Sequence, residues 1–273
     1  MAAVDFASLA TRFERAQAEA MVELARDASP VAGGWMTYGG AGAFVNKACG
    51  LGLVGAVEED TARVISAFFT ARGVTPQVEV CPCVHPSLLL ALGRAAFQLK
   101  EFENVLFLEL DRPEASRPAL SSWPEGLLVE RVDAKNPRAV QEYVALSSSG
   151  FVQEGAPLSE GFLASSLKAP QLPGYEAYVA RLDGQPAGAS GCASRRGLTT
   201  LFGTSVLPAF RRRGIQQALF AVRLERARAL GSTLAAVVSH PGMDTERNAV
   251  RLGFRMAYTR AVLVQPATGA KAP

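Results

Sequence analysis

The sequence predicts an α/β (α+β) protein built of two mixed-sheet units flanked by helices, and three observations support this. Strand-like and helix-like patterns alternate along most of the 273 residues. Hydrophobic residues make up 49% and charged residues 19%, a composition that buries a core and excludes a disordered chain. Residues 111–124 hold three prolines and three serines without periodicity, which suits a linker near the middle of the chain. A boundary there gives domains 1–120 and 121–273.

Residues 4–28 read as an amphipathic helix, with no basic leader ahead of an apolar run as a signal peptide would need. Residues 33–54 are glycine-rich with short apolar runs, the pattern of strands and tight turns. A helix over 59–71 stops at Gly73. Strand 77–81, helix 86–96 and strand 103–110 complete the first unit. Beyond the linker come strand 127–132, helix 137–147 with Pro137 in its first turn, and a short helix over 159–167. Residues 175–182 and 186–193 form a hairpin around Asp183-Gly184, and a turn at 195–197 feeds strand 198–206.

Charge and cysteine content exclude several roles. A net charge of +3 is small for this length and argues against a nucleic-acid partner. No apolar run is long enough to span a bilayer, so no membrane is expected. Four cysteines (Cys49, Cys81, Cys83, Cys192) are too few for a disulfide scaffold, and the cytoplasm is the expected compartment. Cys81, Cys83 and His85 alternate, but no fourth ligand is near and Pro82 disturbs the geometry, so no metal is expected.

Chemistry is concentrated in residues 198–230. A strand ends at Val206-Leu207-Pro208, a loop carries Arg211-Arg212-Arg213, and Gly214 opens a helix. Ile215, Ala218, Leu219, Val222 and Ala229 lie near one face of that helix, with Arg226 interrupting the stripe and Gly231 ending it. A strand running through a basic, glycine-containing turn into a helix makes an anion cradle. Unpaired N–H groups and the positive helix end face the phosphates, and arginine forks add charge-assisted bonds.

Val206-x-Pro208-x-x-Arg211-x-x-Gly214-x-Gln216 resembles motif A of the GCN5-related N-acetyltransferases, the GNAT superfamily. Thr245-x-x-Asn248-x-x-x-x-Gly253-Phe254 is similar to the family's helix ending in Gly-Phe, and strand 233–239 lies between the two motifs. The resemblance covers roughly residues 127–264. It implies a complete acyl-CoA N-acyltransferase fold there, with acetyl-CoA as co-substrate. Backbone around Val206 and Leu207 would pair with the pantetheine arm, the amides of Arg212, Arg213, Gly214, Ile215 and Gln216 would hold the pyrophosphate, and Asn248 would approach the thiol end. Gln216 stands where the family prefers glycine or alanine. The acceptor would be a small-molecule or peptide amine, and a homodimer is a possible assembly.

The first half resembles a degenerate copy of the same core. Arg72-Gly73 matches Leu230-Gly231, Cys81-Pro82 matches His240-Pro241, and Leu92-Gly93 matches Leu252-Gly253. Where the second copy has arginines, the first has Glu58-Glu59-Asp60, which would repel a pyrophosphate. One cofactor site per chain is expected.

The usual acid–base groups are missing. Strand 198–206 contains no carboxylate, and Ala249 stands where the family often has tyrosine. His240, at the end of the next strand, is the candidate base, with Glu154 from the acceptor-lining loop a second and Tyr258 a third. The same gaps keep open a catalytically inactive acyl-CoA-binding protein acting as a sensor or regulator.

Overall fold

A computed structural model describes residues 5–111, 123–151 and 156–266. The chain forms two units interleaved in sequence. One takes Met1–Asn104, Ser159–Ser165 and Ala257–Pro273, the other Val105–Leu158 and Ser166–Met256.

In the first unit, α1 (Phe6–Leu24) starts at Asp5, whose carboxylate accepts from the N–H groups of Ala7 and Ser8 at 3.2 and 3.3 Å. The helix expected over 4–28 ends early, because Ala25 turns extended and Asp27–Val31 forms β1. Pro30 fits there because β1 is an edge strand and needs no N–H on its open side. The glycine-rich stretch holds β2 (Gly34–Tyr38) and β3 (Lys47–Cys49). Then follow α2 (Thr61–Thr70), β4 (Gln77–Val80) and α3 (Pro86–Arg94), with Ile65, Phe69, Val78, Leu88 and Leu92 in one core. His85 caps α3, its Nδ1 accepting from Ser87 N–H at 3.3 Å, while Cys81 is buried and Cys83 exposed. β5 (Gln98–Glu109) runs on into the second unit.

The second unit contains β6 (Leu127–Arg131), α4 (Pro137–Ser148), α5 (Glu160–Lys168, which the first unit shares), β7 (Tyr175–Leu182), β8 (Gln185–Arg195) and β9 (Leu198–Val206). Then come α6 (Ile215–Ala229), β10 (Leu234–Ser239) and α7 (Asp244–Arg251). Its strand order is β10-β9-β8-β7-β6, antiparallel except for β10 with β9. α6 and α7 cover one face through Ile215, Leu219, Leu224 and Ala249, joined by Leu252 and Phe254 just beyond α7. α4 covers the other through Val140, Tyr143 and Val144. Arg226, the break in the α6 stripe, bonds Glu176 through Nε at 2.9 and 3.0 Å.

β11 (Arg255–Val264) returns to the first unit, its last four residues pairing antiparallel with Gln77–Val80 of β4. It brings Tyr258 and Arg260 into a buried cluster. Tyr258 donates to Glu14 Oε1 at 2.7 Å, and Arg260 meets Glu79 at 3.0 Å and Glu103 at 2.6 Å.

Local backbone geometry is similar at two of the three matched sequence positions. Gly73 and Gly231 both take left-handed φ after their helices (+68° and +76°). Val84 N–H donates to Cys81 O as Met243 N–H does to His240 O, at 3.2 and 3.3 Å. The match of Gly93 to Gly253 needs correcting. Gly93 lies inside α3, and the turn equivalent to Gly253-Phe254 is Ala96-Phe97, with Ala96 at φ +57° and Phe97 N–H bonded to Leu92 O as Phe254 N–H is to Ala249 O. The acidic trio precedes α2, with Asp60 paired to Arg63 at 2.7 Å and Glu59 to Arg94 at 3.7 Å.

Candidate functional site

The bend between β9 and α6 is built by local chain chemistry. Pro208 removes a ladder donor and starts a 3-10 turn over Pro208–Phe210. Arg212 (φ +61°) and Gly214 (φ +77°) then take left-handed conformations that reverse the chain into the helix. Gly214 is the N-cap and provides no side-chain cap. Among the described residues, the N–H groups of Arg212, Arg213, Gly214, Ile215 and Gln216 find no hydrogen-bond partner. The helix dipole adds positive potential at the same point. A Cβ on Gly214 would lie 3.3 Å from Pro124 Cγ, so its side-chain side is covered.

Arg211, Arg212 and Arg213 are all exposed. Arg211 Nε donates to Val206 O at 3.2 Å, and the Arg213 guanidinium lies 5.9 Å from the Phe210 ring centroid. Ile215 is buried and anchors the first helical turn in the core. Gln216 Oε1 accepts from Asn248 Nδ2 at 2.6 Å, which ties α6 to α7.

Beside the bend, β9 loses a neighbour. β10 pairs with it only where Leu234–Val237 face Leu198–Leu201. Phe202 to Val206 continue without that partner. The separation begins at a bulge, where Ser190 of β8 stands opposite both Gly203 and Thr204, and Gly203 takes φ +59°. Leu207 N–H donates to Ala187 O at 2.9 Å, toward β8. By strand alternation the N–H and C=O of Val206 point the other way, to the open edge.

On the α4 face, Ser149 Oγ lies 2.8 Å from Ser205 Oγ and donates to Leu146 O at 2.7 Å. The one Ser149 proton is thereby used, so Ser205 donates across the pair and keeps its lone pairs for another group. A Cβ on Gly150 would stand 3.0 Å from Ser205 Oγ. The sequence reading missed this pair, because only folding brings a helix end onto β9.

The profile of the Acetyltransferase (GNAT) family matches residues 149–254, the span from the end of α4 through Gly253-Phe254. That match spans less than half of the chain.

The whole chain is similar in fold to a GCN5-related N-acetyltransferase from Kribbella flavida, with TM-score 0.72 and 20% identity over 95% of this chain and 96% of that one. It also resembles a tandem GNAT protein from the clavulanic acid biosynthesis pathway (TM-score 0.55, 17% identity, 77% of this chain and 69% of that one). A functionally unknown conserved protein from Staphylococcus epidermidis gives TM-score 0.55 and 14% identity over 76% and 81% of the two chains. No curated protein matches.

The remaining acid–base candidates fall in different places relative to the matched span. His240 follows β10 in the exposed turn before α7. Glu154 lies outside the described residues. Tyr258 belongs to the first unit, its hydroxyl committed to Glu14. Ala249 is fully buried against the α6 side of the core. Among the described residues no group of three His, Cys, Asp or Glu side chains forms a metal site, and no helix is long and apolar enough to cross a membrane.

Proposed function

We propose that the second unit is an N-acetyltransferase that moves an acetyl group from acetyl-CoA to a small-molecule or peptide amine by direct attack in a ternary complex. The observation that carries this reading is the pairing of an open β9 edge with a bend of unpartnered amides behind three exposed arginines. A pantetheine chain needs an extended edge to lie along, and a diphosphate needs amide donors and positive charge. Both occur in sequence order, with Val206 and Leu207 leading into Arg211, Arg212, Arg213, Gly214, Ile215 and Gln216. Asn248 supports Gln216 beside them.

In the reaction the acceptor nitrogen bonds to the thioester carbon, the C–S bond breaks, and CoA leaves as a thiolate that takes up a proton. Val206 N–H, on the open edge, would hold the thioester carbonyl oxygen as it gains charge. His240 or Glu154 would accept the proton that leaves the amine. Positioning supplies much of the remaining rate.

One observation favours the inactive, acyl-CoA-sensing alternative: β9 carries no ionisable side chain and Ala249 replaces an acid. Calorimetry with acetyl-CoA, then a thiol-release assay over a panel of amines, separates the two. Binding with turnover supports the enzyme, binding without turnover across the panel selects the sensor, and no binding ends both.

A further inference from the structure

The least expected side chain in the second unit is Arg223, on the core face of α6 and fully buried. No carboxylate among the described residues pairs with it. Its Nε donates to Leu219 O at 2.9 Å, its Nη1 to Gly191 O at 3.0 Å and, at 3.5 Å, towards Phe202 O, while its Nη2 has no partner among the described residues. Gly191 and Phe202 are register partners, the last pair before the β8–β9 bulge.

A bulge takes residues out of the ladder and leaves backbone groups to be satisfied some other way. Here the donor is a guanidinium. From the α4 side, a Cβ on Gly191 would lie 2.7 Å from the Tyr143 hydroxyl and 2.9 Å from that of Tyr175, and these two hydroxyls are 2.8 Å apart. The bulge is thus held from both faces, by a cation below and a hydroxyl pair above. Ser190, the single residue opposite it, has a buried Oγ with no partner among the described residues. Packing alone does not explain an arginine. The neighbouring core positions are Leu219, Phe220 and Leu224, and replacing a buried charge by an apolar side chain of similar volume is often neutral or stabilising.

We propose that Arg223 is a positioning residue for acyl transfer: it clamps the Gly191–Phe202 pair, fixes the bulge that turns β9 away from β10, and so aims the open-edge amides of Thr204 and Val206 at the thioester carbonyl. The inference rests on the acetyltransferase reading above. Burial of the guanidinium without a counter-ion, which draws its pKa down to about 10, puts uncompensated positive charge behind that edge. The charge would add to the stabilisation of a developing oxyanion.

The test uses the full chain with Arg223→Met and Arg223→Lys. Each is checked for fold by circular dichroism, for acetyl-CoA affinity by calorimetry, and for kcat and KM with the best amine of the panel. The carbonyl stretch of bound acetyl-CoA labelled with ¹³C at the carbonyl is read by difference infrared. Arg223→Met should keep affinity within about three-fold, lose about 100-fold in kcat, and return the stretch toward its value in water. Arg223→Lys should recover about ten-fold of that loss, because it restores the charge but not the fork. If the Met variant does not fold, the Lys variant carries the test through its stretch and kcat. A folded variant with wild-type kcat and an unshifted stretch overturns the role of Arg223 and leaves the acetyltransferase reading standing. Wild-type protein that binds no acetyl-CoA removes both.

Discussion

Reversing charge at the bend tests the proposed cofactor site most directly. In the variant Arg211→Glu combined with Arg213→Glu, each substitution moves the charge by two units, and both side chains are exposed, so the dielectric of water applies. At about 6 Å from a phosphate oxygen, one pair of unit charges is worth ~0.7 kcal/mol, reduced to ~0.3 kcal/mol by screening at physiological salt. A change of four units acting on roughly two diphosphate charges then gives about 2.6 kcal/mol, or roughly 80-fold in Kd. Isothermal calorimetry with acetyl-CoA reads this directly. Repeating it near 1 M salt, where the Debye length falls to about 3 Å, should erase most of the difference. Thermal stability should stay close to that of the wild type, since neither arginine is buried. Affinity within about three-fold of wild type at low salt would refute the placement of the diphosphate.

Three further outcomes are expected. Gly214→Ala forces a Cβ into a residue at φ +77° and 3.3 Å from Pro124, so urea denaturation should show a loss of about 1–2 kcal/mol or more, and an unchanged midpoint would mean the bend relaxes freely. Glu14 is buried and its pKa is raised, chiefly by burial with Arg260 opposing, so the folded wild type binds the proton more tightly than the unfolded chain does. Wild-type stability should therefore fall as pH rises from the ordinary glutamate value through the folded one. Glu14→Gln should not show that fall, and its advantage should widen as pH rises above the ordinary glutamate value; parallel stability curves for the two proteins would show that Glu14 is ionised in the fold. His240→Ala should lower kcat for the best amine of the panel at least about ten-fold with acetyl-CoA affinity unchanged, and a wild-type kcat would remove His240 as the base.

Local chemistry explains why the bend between β9 and α6 could be read early. Proline in the first turn, left-handed glycine and an arginine run act within a few residues, and the same residues form the bend in the fold. The Gly-Phe turn was equally legible, because Gly253 at φ +91° and the Phe254 to Ala249 bond are a local helix ending. Its counterpart was misplaced by three residues, because Ala96 adopts the left-handed conformation without the glycine that would have marked it. Arg223 carried a faint signal, a charged residue four positions after buried Leu219 on the core face, but nothing nearby named the carbonyls it would meet.

The sequence alone determined most of the alternation of elements, the helix that opens at Pro137, the helix that follows Gly214, and the residues that gather at the bend. Tertiary structure alone decided strand partners. β11 pairs with β4 across some 180 residues, and Glu14, Glu79, Glu103, Tyr258 and Arg260 meet in one buried cluster. It also decided where β9 parts from β10. The physical reason is that a strand's alternation records which face is buried but not which neighbour receives its N–H groups. That choice follows from closing long loops around a common core, and its contacts are written nowhere near the residues that make them.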